Sequence, residues 1–184
     1  MKLLAIVLCL IFLTGCGGQS QEPTQKALDF RTSLMEAGGC SFTAAVTADY
    51  GDRVYQFTMA CSHTSDGTRL EVLEPEIIAG IAATVSEDGA QLEFDGAALE
   101  FGQLANGFVS PVSVPWLLAQ CWMEEYIAYA GSDGDLERVT YLRGYNDEEL
   151  SIDTWFSGSV PTYAEVVYDG ARCLTVEITN FQMT

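Results

Sequence analysis

A period-two alternation of apolar and polar residues dominates this sequence between residues 40 and 101, and it constrains the fold more than any other feature. Phe42 and Val46 alternate with polar or small neighbours in the first run, and Tyr55 and Phe57 do so in the second. Alternation of this kind predicts half-buried β-strands. The short turn segments between the runs favour antiparallel pairing, so we expect a long antiparallel sheet with one apolar face.

The first two strands also predict a disulfide. A two-residue loop at Tyr50-Gly51 would set a register that places Cys40 directly opposite Cys61. Directly opposed antiparallel residues have Cα atoms about 4.5–5.5 Å apart, which is within disulfide range. The alternatives are two separate buried thiols, or a metal site that includes His63.

Further strands follow the same alternation. The dipeptide Asp95-Gly96 is a strong hairpin signal because both residues accept a positive φ. The registers of the two neighbouring turns place Leu92 beside both Ala83 and Leu99. The predicted strands lie at 68–73, 80–85, 90–94, 97–101, 137–145, 150–157, 162–168 and 172–181.

Two segments have helical spacing instead. Thr24 can cap an amphipathic helix that ends at Gly38-Gly39. Residues 116–130 predict a second helix, on which Cys121 projects among glutamates and outside the core. Cys121 and Cys173 are a weaker candidate for a second disulfide. The second helix has a broad aromatic face that includes Trp116, Trp122, Tyr126 and Tyr129.

The N-terminal segment has the features of a secretion signal. Lys2 precedes an apolar run over 3–13 that is too short to cross a bilayer, since a spanning helix needs about 20 residues. The run ends in Leu13-Thr14-Gly15-Cys16, which resembles the bacterial lipoprotein processing site. This resemblance implies that residues 1–15 are removed and that Cys16 carries the lipid which anchors the chain to the outer side of a membrane. An ordinary secretory signal with an incidental cysteine is the alternative.

The rest of the chain is expected to form one domain on a short tether. Residues 16–25 are polar and rich in glycine, and they predict a flexible tether with a reach of about 30 Å. Residues 26–184 suffice for a single core. The formal net charge of −18, with only 8 Lys and Arg residues, makes nucleic acid and anionic lipid headgroups poor partners for the surface of this chain, and we expect no nucleic-acid binding.

No catalytic motif is evident in the sequence. His63 is the only histidine, and its neighbours predict a solvated loop rather than a catalytic base. The adjacent Glu124 and Glu125 project about 100° apart on a helix, which favours a solvated face. The segment 133–135 lacks the rest of a calcium loop. We therefore expect no enzymatic activity, no cofactor and no metal.

The order of elements resembles the LolA/LolB-like lipoprotein-carrier family. The segments 70–75, 94–96 and 161–181 also resemble this family in detail, and the resemblance covers about residues 25–184. It implies an α+β fold in which a long antiparallel, strongly curved sheet forms an unclosed β-barrel. The N-terminal helix and the mid-chain helix would cover its concave face. The residues that would then line a lipid or acyl-chain site are Phe42, Val46, Tyr55, Phe57, Leu92, Phe94, Leu99, Trp116, Trp122 and Tyr126.

Two functions remain open at this point. The first is a membrane-anchored, non-enzymatic envelope lipoprotein that binds an apolar ligand in the half-barrel, with the second helix as a lid. The second is an envelope sensor or regulatory module with a closed core that binds a protein partner. Whether the space under the second helix is open or filled distinguishes them.

Overall fold

The computed structural model describes most of the domain. The predicted signal segment 1–15, the predicted lipid-attachment residue Cys16 and residues 17–20 of the predicted tether lie outside the described residues. The described residues are 21–94, 97–101, 104–105, 108–144, 150–168 and 170–184.

The first helix, α1, spans Gln21–Ala37 and starts earlier than the sequence predicted. Residues 21–25 are therefore helical and not part of a flexible tether. Pro23 is compatible with this start because the first-turn N–H groups of a helix have no intrahelical acceptor. The helix ends as predicted, at Gly38, whose φ of 87° is the left-handed conformation that glycine adopts most readily.

Strands account for most of the remaining structure. A second helix, α2, spans Val114–Met123, and short 3₁₀ turns lie at Glu76–Ile78 and Pro111–Ser113. The strands are β1 Cys40–Asp49, β2 Val54–Thr64, β3 Gly67–Glu74, β4 Ala82–Ser86, β5 Gly89–Phe94, β6 Ala97–Phe101, β7 Leu104–Ala105, β8 Phe108–Val109, β9 Tyr126–Asp133, β10 Leu136–Arg143, β11 Leu150–Ser157, β12 Val160–Tyr168 and β13 Ala171–Met183.

Eleven of these strands form one antiparallel sheet in the order β6-β5-β4-β3-β2-β1-β13-β12-β11-β10-β9. The chain builds two meanders, and the pairing of β1 with β13 joins them. Strands β6 and β9 lie at the two edges, so the curved sheet does not close into a barrel. Among the described strands, β7 and β8 pair with each other and with no third strand. The predicted α+β class, with an unclosed antiparallel sheet and two helices, is confirmed.

The register of the first hairpin differs from the prediction. The loop between β1 and β2 covers four residues, because Asp49 pairs with Val54 and the backbone N–H of Tyr50 donates to the carbonyl of Arg53 at 3.0 Å. The pairing therefore moves by two residues. A shift of two keeps every side chain on its predicted face, since side chains alternate with period two. The registers of β4, β5 and β6 agree with the prediction.

The disulfide predictions are wrong in this structure. The shifted register places Cys40 opposite His63, and Cys61 opposite Phe42. Cys40 and Cys61 are thus diagonal neighbours on one face, a position at which side chains lie about 7–8 Å apart. Both are free thiols, as are Cys121 and Cys173. Cys121 is fully buried in the core, contrary to its predicted position among glutamates.

The second helix is shorter than predicted and shifted toward the N-terminus. It starts at Val114 and ends at Met123, and the backbone N–H of Glu124 donates to the carbonyl of Gln120 at 2.8 Å. Tyr126 and Tyr129 lie in edge strand β9 and not on the helix. The pairing of β9 with β10 overrides the helical spacing of this segment.

The core lies between the two helices and one face of the sheet. We call this the concave face; on the central strand β1 it carries Phe42, Ala44 and Val46, all buried. The opposite, convex face of β1 carries Thr43, Ala45 and Thr47, which are partly exposed. Within the described residues, neither helix has the length and apolar character that crossing a membrane requires.

Candidate ligand site beneath the second helix

Helix α2 is apolar except for Gln120 and lies in the core. Eight of its 10 residues are buried, from Val114 to Trp122. Pro115 falls in the first turn, where its missing N–H costs no intrahelical bond. A helix without a polar face needs cover on every side. The sheet supplies that cover on one side and α1 supplies part of it on the other.

Aromatic rings fill the space between the C-terminal half of α2 and the sheet. The ring of Trp122 lies 5.6 Å from that of Phe42, 5.8 Å from that of Phe181 and 6.1 Å from that of Phe30, centroid to centroid. The Trp122 indole N–H donates to the Thr154 hydroxyl at 3.1 Å. Its only polar atom is therefore satisfied inside the core, as a buried tryptophan requires.

Arg31 of α1 holds the end of α2. Its guanidinium donates to the carbonyls of Trp122 at 2.9 Å, Cys121 at 3.1 Å and Glu125 at 2.6 Å. The last carbonyls of a helix have no intrahelical donor, and the C-terminal end carries a partial negative charge. A single arginine thus satisfies several of these acceptors and fastens α2 to α1.

A second polar contact fastens the same end of α2 to the sheet. The Glu125 carboxylate lies 3.5 Å from the guanidinium of Arg143 on β10. Burial raises the pKa of Glu125, and the charge of Arg143 opposes that shift. The Arg143 guanidinium also lies 4.6 Å from the ring centroid of Trp116, within cation–π range. Polar contacts from two directions therefore converge where α2 ends.

The predicted lining residues divide into three groups. Phe42, Val46, Trp116 and Trp122 are buried in the core beneath or on α2. Tyr55, Phe57 and Leu92 are partly or largely exposed on the concave side. Tyr126 is 70% exposed on β9 and lines nothing, because the helix ends before it. The side chains of Phe94 and Leu99 lie outside the described part of the chain.

Aromatic side chains also form a rim at one end of the concave face. The rings of Tyr50 and Tyr55 are 6.2 Å apart, and those of Tyr55 and Phe57 are stacked at 6.4 Å. The Tyr50 hydroxyl donates to the carbonyl of Val109 at 2.7 Å, which ties the rim to the segment before α2. Tyr55 is 40% exposed. This rim gives apolar contact area that solvent can reach.

The convex face carries a separate open groove of about 660 Å³. Its floor is formed by small and polar side chains of β1, β2 and β13, among them Ala45, Thr47 and Gln56. The segment after β3, with Glu74 and Glu76, forms its wall. The groove lies on the side of the sheet away from α2. It is a second candidate site with a quite different, acidic lining.

His63 does not occupy the predicted solvated loop. It is part of β2 and only 2% exposed, and its Nδ1 lies 2.8 Å from the hydroxyl of Thr68. Burial lowers the pKa of His63. In the described part of the chain, no three or more His, Cys, Asp or Glu side chains are grouped so as to hold a metal ion, and the alternative of a site at Cys40, Cys61 and His63 gains no support.

Sequence reasoning missed the polar residues of the site. Arg31, Arg143 and Thr154 all contact α2 or the carbonyls at its end. The available signal was the scarcity of basic residues, since only 8 occur in the chain. A basic residue inside an otherwise apolar stripe stands out for that reason. Its partners are backbone carbonyls far away in sequence, and no motif marks them.

Comparisons with known proteins give only distant similarities. No family model and no curated protein matches this sequence. An uncharacterised conserved protein from Thermus thermophilus is 9% identical, with a TM-score of 0.48 over 88% of this chain and 87% of that one. A LolA-superfamily protein from Nitrosomonas europaea is 10% identical, with a TM-score of 0.43 over 84% and 93%. The lipoprotein LppX from Mycobacterium tuberculosis is 8% identical, with a TM-score of 0.41 over 89% and 98%. At these values the comparisons say nothing about what this chain binds.

Proposed function

We propose that this protein is a membrane-anchored, non-enzymatic envelope lipoprotein that binds an apolar ligand, a lipid or an acyl chain, against the concave face of its sheet. Helix α2 acts as the lid of this site. The lipid on Cys16 holds the domain on the outer side of the membrane, where such a ligand is available. Two or three acyl chains would make this anchoring durable, at about 0.8 kcal/mol for each buried methylene.

The way in which α2 is held is the observation that carries the proposal. A helix whose only polar side chain is that of Gln120 covers the apolar face of a sheet that does not close. Polar contacts at its C-terminal end hold it in place, those of Arg31 to α1 and that of Arg143 to the sheet. If these contacts open, the rings of Trp116 and Trp122 leave the sheet and expose an apolar surface. An acyl chain can then replace the side chains that fill the site in the closed form.

The test is to analyse what the protein carries. The full chain is purified from the envelope and extracted with mild organic solvent, which removes non-covalent lipid but leaves the anchor on Cys16. Mass spectrometry should find lipid in stoichiometric amount. Phe57→Asp places a charge on the concave rim and should abolish this lipid, whereas Gln56→Asp places the same charge on the convex face and should not. Absence of lipid from the wild type, together with no binding of lipophilic dyes, would contradict the proposal.

A second function is favoured by the convex groove. An envelope sensor or regulatory module would use this groove of about 660 Å³, beside which Ile77 is 89% exposed, to dock a protein partner. The rings that fill the space beneath α2 are what a closed-core module was expected to have, so this observation favours the module, whereas the lipid-binding proposal requires α2 to open. Crosslinking in cells separates the two functions. One stoichiometric protein partner that is lost in Gln56→Asp supports the module, and heterogeneous lipid that is lost in Phe57→Asp supports the lipid carrier.

A further inference from the structure

Two polar atoms on the concave face of β10 are buried without a hydrogen-bond partner among the described residues. They are the Tyr141 hydroxyl and Arg143 Nη1. Tyr141 is fully buried. Arg143 Nη1 lies 3.5 Å from a Glu125 carboxylate oxygen, an ion pair whose geometry is not that of a hydrogen bond. The two residues are two positions apart on one strand, so their side chains point to the same side, about 7 Å apart along the chain.

Unpaired donors of this kind are unusual in folded proteins. A buried donor without an acceptor has lost its water and gained nothing in return, so most such groups in native structures have a partner. Both groups can donate, and a guanidinium has no acceptor atom at all. The missing partner is therefore an acceptor. The neighbouring ring of Trp116, which faces the Arg143 guanidinium at 4.6 Å, supplies none.

The charges around these donors favour an anion. The Arg31 guanidinium lies 5.9 Å from the ring centroid of Tyr141, and its hydrogen bonds go to uncharged carbonyls. Two guanidinium groups thus meet the half-buried Glu125 carboxylate, while the Glu124 carboxylate beside it is exposed to solvent. The buried part of the cluster therefore has more positive than negative charge. This local excess of positive charge stands in a chain whose net charge is −18. Two of the chain's 8 Lys and Arg residues, Arg31 and Arg143, thus lie close together in the described part of the core, where charged residues are not expected.

We propose that Tyr141 and Arg143 bind an oxyanion, the carboxylate or phosphate group at the polar end of an amphiphilic ligand. This inference rests on the proposed function and adds the chemical class of the ligand. The acyl chain lies along the concave face, and the Tyr141 hydroxyl and Arg143 Nη1 donate to the oxygens of the headgroup. Arg31 contributes charge from the other side. The Glu125 carboxylate, 3.5 Å from the same Arg143 nitrogen, has to move away when the headgroup binds.

The experiment uses the full chain in nanodiscs of an uncharged lipid. A photoreactive fatty acid and the fatty alcohol of the same chain are titrated in parallel, and covalent labelling is measured by mass spectrometry. The wild type should bind the acid about tenfold more tightly than the alcohol, because hydrogen bonds to a charged acceptor are about twice as strong as neutral ones. Arg143→Gln and Tyr141→Phe should each lower this preference to about threefold or less, and neither should weaken the binding of the alcohol.

The controls separate the two proposals. Arg69→Gln removes an exposed charge on β3 and should leave the preference unchanged. Equal labelling by acid and alcohol in the wild type overturns the oxyanion site and leaves the proposed function standing. No labelling by either ligand overturns the proposed function. Arg143→Lys keeps the charge, so partial retention of the preference in that variant supports the site even if Arg143→Gln fails to fold.

Competition shows whether the bound anion is the headgroup of an amphiphile or free inorganic phosphate. Inorganic phosphate, added at millimolar concentration, should displace the fatty acid only weakly if the chain and the headgroup bind together. Complete displacement by phosphate alone, lost in Arg143→Gln, supports the oxyanion chemistry but overturns the assignment to an amphiphile. If phosphate displaces the fatty acid no more than a neutral salt of equal ionic strength does, in both the wild type and Arg143→Gln, the assignment of the site to the headgroup of an amphiphile stands.

Discussion

The two faces of the central strands β1, β2 and β13 have the same backbone and opposite character. On the concave face, Phe42, Val46 and Val176 are buried in the core that also contains residues of α1 and α2. On the convex face, Thr47 and Thr175 alternate with them and line an open, acidic groove. One face is filled with rings and covered by helices, and the other is polar and accessible.

This contrast shows how one sheet can separate two possible roles. Period-two alternation places every second residue on each face, so the two surfaces are free to differ. A ligand on the concave face has to displace α2 and compete with core packing. A partner on the convex face needs no rearrangement. Mutations and solution measurements can test whether the concave face contributes more to the free energy of unfolding than the convex face, and whether it is the face that binds ligand.

Truncation of the core ring should have the largest effect. Trp122→Ala removes a fully buried ring that contacts Phe30, Phe42 and Phe181. We expect a loss of about 3–5 kcal/mol in the free energy of unfolding, measured by urea denaturation. Thr47→Ala, on the convex face, should change it by no more than about 0.5 kcal/mol. Comparable losses in both variants would remove the distinction between the faces.

Loss of the contacts at the end of α2 should have the next largest effect. Arg31→Met keeps the aliphatic stem but leaves the carbonyls of Cys121 and Trp122 without their donor. We expect a loss of about 1.5–3 kcal/mol in the free energy of unfolding. Amide hydrogen exchange should accelerate in α2 more than in β1 or β13. Uniform acceleration across the sheet would show that α2 does not open separately.

The buried histidine should make stability depend on pH. Burial lowers the pKa of His63 in the folded state below 6.5, so the unfolded chain binds the proton more readily. Stability should therefore be retained above about pH 6.5 and fall as the pH drops below it. Urea denaturation of the wild type and His63→Gln, at about pH 7.5 and about pH 5.0, measures the difference. A histidine on an accessible surface would give the two proteins the same pH dependence.

Reduction should have the smallest effect, which is none. The thiols of Cys40, Cys61, Cys121 and Cys173 are free and buried. Burial raises the pKa of Cys40 to about 12, so its thiolate is scarce at neutral pH. Iodoacetamide should label all four after denaturation without any reductant, and reductant should not shift the unfolding midpoint. A loss of about 2–5 kcal/mol on reduction would reveal a bridge.

Local pattern predicted much of this fold. The alternation in β11 gave its bounds, Leu150–Ser157, without error, and the Asp-Gly turn gave the register of β5 and β6. These features depend on residues close together in sequence. The joining of β1 to β13 could not be derived from such a pattern, because nothing local distinguishes one apolar edge from another. The resemblance to a half-barrel family implied an unclosed sheet but did not specify this pairing.

The candidate site was less predictable than the fold. Trp116 and Trp122 were expected to face the sheet, and they are buried there. Arg31 and Arg143 were missed because their partners are carbonyls and a carboxylate on distant elements. Tyr126 was misplaced because a helical period of aromatic residues continued, by coincidence, into an edge strand. For the two arginines and for Tyr126, contacts between elements distant in sequence decided the outcome, and local sequence patterns do not record such contacts.

The most direct test places a photoreactive amino acid on each face of the same strand. Benzoylphenylalanine replaces Phe57 on the concave rim in one full-length variant, and Gln56 on the convex face in the other. After irradiation in the native envelope, mass spectrometry identifies the adducts. The account predicts lipid adducts at position 57 and none at position 56. Lipid adducts at position 56 alone, or a single protein adduct there with nothing at position 57, would contradict it.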